Sequence, residues 1–253
     1  MDFTLKIYRE LVQSLLAAEY QFQTFEEFIR NPAGRAVVLR HDIDKLPGNA
    51  LRMAQLEYDL GVRGSYYFRV IPSVWSPEVM RQIVELGHEL GYHYEDLTIA
   101  RGDHEAAILH FKRQLKLFRR IYPVRTVCMH GSPLSRHDNR DLWETYDYRT
   151  FGIIAEPYFD IDFNQVFYAT DTGRKWNHAG ASIRDRVNSG FDIRVTSTGH
   201  LMELAWEGRL PKQVMINTHP HRWFDFGTGW IKELVGQNLK NIAKTFLIKM
   251  RKQ

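Results

Sequence analysis

Residues 36–44 read AVVLR and then HDID: a short apolar run that breaks into polar and ionisable residues. A continuous apolar run of this length, bounded by polar residues, is the pattern of a strand buried on both faces. AVVLR at 36–40 is read as that strand, with HDID at its C-terminal end. Candidate strands that end in polar and ionisable residues recur along the chain. GHELGYH at 87–93 runs into Tyr94-Glu95-Asp96, and TVCMH at 126–130 into Gly131-Ser132-Pro133. FYAT at 167–170 runs into Asp171-Thr172-Gly173-Arg174, and VMINTH at 214–219 into Pro220-His221. RGSYYFRV at 63–70 is β-rich.

Between these runs the apolar spacing is helical. It predicts helices over 3–30, 48–61, 77–87, 102–121, 197–208 and 228–250. Ser76-Pro77 is a good start for one of them, a cap residue followed by Pro at the first helical position. The section 150–200 is irregular and aromatic, with strands expected near 151–154 and 166–170. Alternating strands and helices argue for a parallel sheet with helices outside it. A distorted (β/α) barrel is the expected α/β fold, and an open doubly wound sheet is the alternative. No GxGxxG or GxxxxGK[ST] stands at a strand–helix junction, which weighs against nucleotide-binding versions. One domain is expected over 1–253. Its core spans about 36–222, with an N-terminal helical extension at 1–35 and a C-terminal helix at 223–253.

The 253 residues are 44% hydrophobic and 25% charged, which excludes a disordered, collagen-like or coiled-coil chain. No apolar run approaches the roughly 20 residues of a membrane helix. The start, MDFTLKIYRELVQ, lacks a basic-then-apolar leader, so a cytoplasmic location is expected. The single cysteine, Cys128, excludes an internal disulfide framework and a Cys-rich zinc site. It is read as a small buried hydrophobe. The net charge is +4, with the densest basic run at the end, LKNIAKTFLIKMRKQ. There Leu239, Ile242, Phe246, Leu247 and Met250 fit helical spacing. A packed helix with a solvated basic face is the ordinary reading, and a peripheral membrane contact the sharper one. No RNA-binding motif or zinc finger supports a nucleic-acid partner.

In barrels and open parallel sheets, ligands bind at the C-terminal strand ends. Five expected strands deliver ionisable residues there. Asp42 and Asp44 lie two apart on an extended segment and point to one side. Carboxylates so close repel unless a cation or a proton sits between them. One of them is expected to bind a divalent metal and the other to act as a general base. Capping a helix that starts near Pro47 is the structural alternative. His93, His130 and His219 end their strands beside these carboxylates. His88 starts its strand at the opposite end, and His104 and His110 belong to a helix. The aromatics Tyr66, Tyr67, Tyr92, Tyr94, Trp176, Trp223 and Trp230 are divided between barrel packing and stacking on a bound ligand.

These segments resemble the polysaccharide deacetylases of the nodulation-factor type, carbohydrate esterase family four. RHDID at 40–44 resembles that family's Asp-x-Asp motif, GHELGYH at 87–93 its Gly-His-Glu-Ile-Gly-x-His segment, and VMINTH its late strand ending in a catalytic histidine. The resemblance runs from about 36 to 222 and implies a deformed (β/α)7 barrel. It implies Asp42 as general base, Asp44 and His93 as metal ligands, and His219 as general acid for the departing amine. Arg174 would orient the base or hold the oxyanion.

Two departures stand out. The family's second histidine, four residues after the first, is Leu97 here, and its Arg-x-Pro-Tyr element is absent, with HGSP at 130–133 in its place. His130 is the first candidate for the third ligand and Glu95 the second. Ligation by His219, with His221 as the acid, is a further option. Ser132, Tyr94 and Trp176 are candidate substrate contacts. The implied cofactor is one divalent ion, zinc first, with cobalt, nickel or manganese also suited to mixed oxygen and nitrogen ligands. The expected reaction is N-deacylation, removing acetyl or formyl from an amino sugar or oligosaccharide in surface-polysaccharide or O-antigen synthesis. The alternatives are another amidohydrolase on this fold, metal-dependent or metal-free, and an inactive carbohydrate-binding barrel.

Overall fold

A computed structural model describes residues 1–131, 135–176 and 187–250, with side chains up to residue 241. Its strands are β1 (Gln21–Gln23), β2 (Ala36–Ile43), β3 (Ser65–Phe68), β4 (Glu89–Tyr94), β5 (Val127–Met129), β6 (Phe167–Thr170) and β7 (Gln213–Thr218). They form one sheet in the order β5-β4-β3-β2-β7-β6, with β1 added beside β2, and every pairing is parallel. Helices return the chain between successive strands, at Pro47–Asp59, Pro77–Glu85, His104–Phe118 and Thr198–Trp206. Among the described residues β5 and β6 do not pair, so the fold is an α/β barrel curled but open along one seam.

β2 is the hub. One of its edges meets β1 over Ala36–Val38 and then β3 over Arg40–Ile43, while the other meets β7 over Ala36–His41. Its side chains alternate between two dry environments. Ala36 and Val38 point into the barrel with Tyr67, Cys128, Tyr168 and Met215. Val37 and Leu39 point outward against Tyr8, Leu11 and Leu204 of the surrounding helices. Arg40 and Asp42 therefore face inward, and His41 faces the helices.

His41 joins a buried polar cluster there. Its Nε2 lies 2.8 Å from Glu57 Oε1, and its Nδ1 lies 2.7 Å from Thr218 Oγ1. Tyr8 and Tyr66 donate their hydroxyls to the same Glu57 at 2.5 and 2.8 Å. Gly64 makes room for this cluster, because a Cβ at that position would stand 2.9 Å from both Glu57 Oε2 and His41 Nε2.

Two sequence expectations change. The helix expected over 3–30 is two helices, Leu5–Ala17 and Phe25–Arg30, separated by β1. A capping box starts the second helix: the Thr24 side chain accepts from Glu27 N–H, and the Glu27 side chain accepts from Thr24 N–H. The strand expected at 151–154 is absent. Tyr148–Phe151 is a 3-10 turn closed by Gly152 at φ 72°, and only Ala155 bridges to Thr126 beside β5.

Candidate metal and catalytic centre

The C-terminal ends of β2, β4, β5 and β7 converge inside the barrel. Asp44 stands one residue past β2. It does not cap the helix that follows, because the capping residue is Leu46, in the left-handed region at φ 50° and without a side-chain cap bond. Asp44 Oδ1 is buried and accepts no hydrogen bond. It lies 3.7 Å from His93 Nε2 and 3.5 Å from His130 Nε2. The three residues offer ligand atoms that all fall within 4.8 Å of one another. Ligand atoms in a tetrahedral zinc site with bonds near 2.0 Å stand about 3.3 Å apart. The cluster is thus a slightly expanded version of such a site, and an orphaned carboxylate oxygen facing two imidazoles is what a divalent ion would satisfy.

The outer partners support the same reading. His93 Nδ1 lies 2.9 Å from the Cys128 carbonyl, which assigns the proton to Nδ1 and leaves Nε2 with a lone pair towards Asp44. His130 Nδ1 lies 3.0 Å from Glu95 Oε2. Glu95 is itself gripped by Arg69, with Nε and Nη2 both donating at 2.8 Å. Burial pushes the Glu95 carboxyl up, but the bonds from His130 and Arg69 outweigh it and hold it below the usual carboxylate range. Glu95 therefore orients His130 and is not placed as a ligand. Burial drives the His93 imidazole down to about 4, so it is neutral, as a metal ligand must be. Leu97 is buried in the helix-side core and offers no ligand atom, and His130 is the third residue of the cluster.

Asp42 is held differently. Arg40 Nε donates to its Oδ1 at 3.0 Å and Nη2 to its Oδ2 at 2.6 Å, a two-point clamp between residues on the same face of one strand. Asn217 of β7 adds a bond to Oδ2 at 3.1 Å. Burial raises the Asp42 carboxyl, and Arg40 and His93 more than reverse it, so it stays charged. The arginine itself rests on the hydroxyls of Tyr168 and Tyr158 at 3.4 and 3.3 Å. Asp42, His93 and Cys128 form a second, deeper group of ligand-type atoms. Both Asp42 oxygens are already taken by Arg40, so this group is the weaker metal candidate.

Across the cluster, His219 Nε2 lies 3.9 Å from Asp44 Oδ2. Its Nδ1 lies 2.6 Å from Asp171 Oδ1, and its backbone N–H donates to Asp171 Oδ2 at 3.0 Å. Trp223 Nε1 donates to Asp171 Oδ2 at 2.8 Å. Burial and Arg222 lower the His219 imidazole, but Asp171 outweighs both and raises it above its ordinary value. The His221 ring stands edge-on to His219 at 5.9 Å, with its Nδ1 buried and unpartnered. Burial, followed by Arg222, keeps that ring neutral.

Other expected contacts lie elsewhere. Arg174 Nη1 donates to the Trp230 carbonyl at 3.4 Å, and its guanidinium covers the Phe3 and Trp230 rings. Arg40, not Arg174, is the arginine on Asp42. Tyr94 is fully buried on the helix side of β4, against Phe111 and Trp143. Trp176 is buried between Phe3 and Trp223, with its Nε1 on Thr198. Packing therefore claims both rings, along with Tyr66, Tyr67, Tyr92 and Trp223. Ser132 lies outside the described residues. Arg40 and Asp171 were missed by sequence reasoning. The signal for Arg40 was its place two residues before Asp42, and for Asp171 its place directly after FYAT.

No protein-family model matches the chain, and no curated protein matches it. Among solved structures it is similar to a variant of the peptidoglycan deacetylase PdaC from Bacillus subtilis. The sequences are 14% identical, the match covers 87% of this chain and 98% of that one, and the TM-score is 0.39. An overlay that loose transfers no residue roles.

Proposed function

We propose that the chain is a metal-dependent N-deacylase that hydrolyses the amide of an amino sugar, in the context of surface-polysaccharide or O-antigen synthesis. One observation carries the reading. An arginine-clamped carboxylate, Asp42, and a carboxylate-held histidine, His219, flank a three-residue cluster with ligand spacing. Structural packing has no use for that combination in a buried position.

Asp44, His93 and His130 would hold the ion. When bound, it supplies Lewis acidity towards water and the amide carbonyl. Asp42 accepts the proton of the attacking water, with Arg40 and Asn217 fixing its orientation. His219 delivers a proton to the departing nitrogen from Nε2 while Asp171 holds Nδ1. The acid and the base thus come from the adjacent strands β7 and β2 and work at separate atoms.

The test is elemental mass spectrometry of the purified protein and of His93→Ala, together with amine release from N-acylated amino sugars. About one divalent ion per chain, lost in the variant along with turnover, supports the reading. A protein that takes up no divalent ion in solution yet releases amine would point to the metal-free amidohydrolase instead.

A further inference from the structure

The helix Thr228–Met250 spans roughly 35 Å at 1.5 Å per residue and is only partly used by the fold. One face packs on the domain. Gln237 is buried, Asn241 Nδ2 donates to the Gly173 carbonyl at 2.8 Å, and Trp230 Nε1 donates to the Asp2 carbonyl at 2.9 Å. On the opposite face Ile231, Val235 and Leu239 form a stripe at four-residue intervals, 48%, 54% and 63% exposed. Phe226, just before the helix, is 67% exposed. In the sequence the same periodicity continues to Ile242 and Phe246.

The charge follows the helix. Residues 228–253 hold six Lys and Arg against the single acid Glu233, a net +5. The whole chain carries +4, so the other 227 residues sum to −1. All the excess positive charge therefore lies on the segment that carries the exposed apolar stripe. Apolar side chains flanked by lysines on one helix are the pattern of a helix lying in the plane of an anionic membrane interface. Among the described residues no helix is long and apolar enough to cross a membrane. Gly173, which receives the helix, stands two residues after Asp171.

We propose that this helix docks the protein on an anionic lipid bilayer, with Phe226, Ile231, Val235 and Leu239 entering the headgroup boundary and the exposed Lys232 beside them facing lipid phosphates. Docked in this way, the β6 and β7 ends of the catalytic barrel lie close to the lipid surface. The proposal goes beyond the hydrolase reading, and its readout needs no turnover.

The experiment is flotation of the full chain with phosphatidylcholine vesicles, with and without about one-third phosphatidylglycerol. The chain should float with the anionic vesicles only, and added salt should release it. Val235→Asp/Leu239→Asp should weaken binding at least about tenfold. Lys232→Gln should weaken it about fivefold. Both variants alter exposed side chains, and unchanged thermal midpoints would show intact folds. Absence of flotation with anionic vesicles overturns the proposal, as does equal binding by the double variant. A wild-type dimer in light scattering that becomes monomeric in the double variant, without vesicle binding, would assign the stripe to a second copy of the chain.

Discussion

Asp171 holds His219 at two points, accepting its backbone N–H at 3.0 Å and facing its Nδ1 at 2.6 Å. The ring is thereby fixed in rotation and in tautomer, with Nε2 turned to Asp44. Trp223 fixes the carboxylate in turn. The acid of the proposed reaction is therefore a three-residue assembly drawn from the ends of β6 and β7 and the turn after β7.

Asp171→Asn should cut kcat by between about a hundredfold and ten-thousandfold, with a smaller effect on KM. Asp171 raises the His219 imidazole, so its removal lowers that group's pKa. An acid must be protonated to act, so the alkaline limb of the kcat profile should move to lower pH. A limb that stays in place would remove His219 from the acid role.

Glu95→Gln should leave the fold intact and weaken metal retention by about tenfold to a hundredfold, because His130 loses the carboxylate that orients it. Titration with a competing chelator measures this directly. His93→Ala and His130→Ala should each retain less metal than Glu95→Gln.

Arg40 and Asp42 are both buried, so removing one strands the other. Arg40→Met should cost about 3–5 kcal/mol in urea unfolding. Arg40→Met/Asp42→Leu should be more stable than Arg40→Met alone, since no uncompensated charge remains, and should be inactive. A double variant less stable than the single would show that the pair is not the dominant interaction.

Burial pushes the Glu156 carboxyl up to about 7, from an ordinary value near 4.5. The folded state therefore binds a proton that the unfolded chain has already released between these values. Its contribution is fully present below pH 4.5 and is lost as pH rises through about 7, a span of about 3 kcal/mol. Glu156→Gln should flatten the fall in stability over this window. Chemical denaturation at several pH values gives the slope.

Gly91 lies between Glu89 and His93 on the inward face of β4, with the Tyr67 ring across it. A Cβ there would come within 2.3 Å of that ring. Gly91→Ala should destabilise by about 1–3 kcal/mol or more and disturb His93 with it. A thermal midpoint matching wild type would mean that the ring moves aside freely.

AVVLR and VMINTH marked their strands because a short apolar run ending in ionisable residues has few other causes, while GHELGYH, with His88 and Glu89 inside it, was read as a strand after the helix that ends at Gly87. Asp44, His93, His130 and His219 were named from their places at those ends. Arg40 was passed over because an arginine closing an apolar run looks like the transition to solvent, yet β2 stays buried to Ile43. Asp171 was passed over for Arg174, since the sequence does not show which strand-end group reaches across to β7. The aromatic residues of β3 and β4 misled for a related reason. With both faces of the sheet dry, polarity gives no clue to which face a ring takes. β1 is three residues long, too short to show a period, and only its pairing with Ala36–Val38 reveals it.

Because β2 is paired on both edges over Ala36–Val38 and Arg40–His41, the amides of that stretch have no partial opening that would free them alone. They should be among the slowest in the molecule to exchange with deuterium, at rates set by global unfolding. The strand bearing the proposed base would then share its lifetime with the whole fold. Loss of the active geometry and loss of the native state would be one event, with the same midpoint in denaturant.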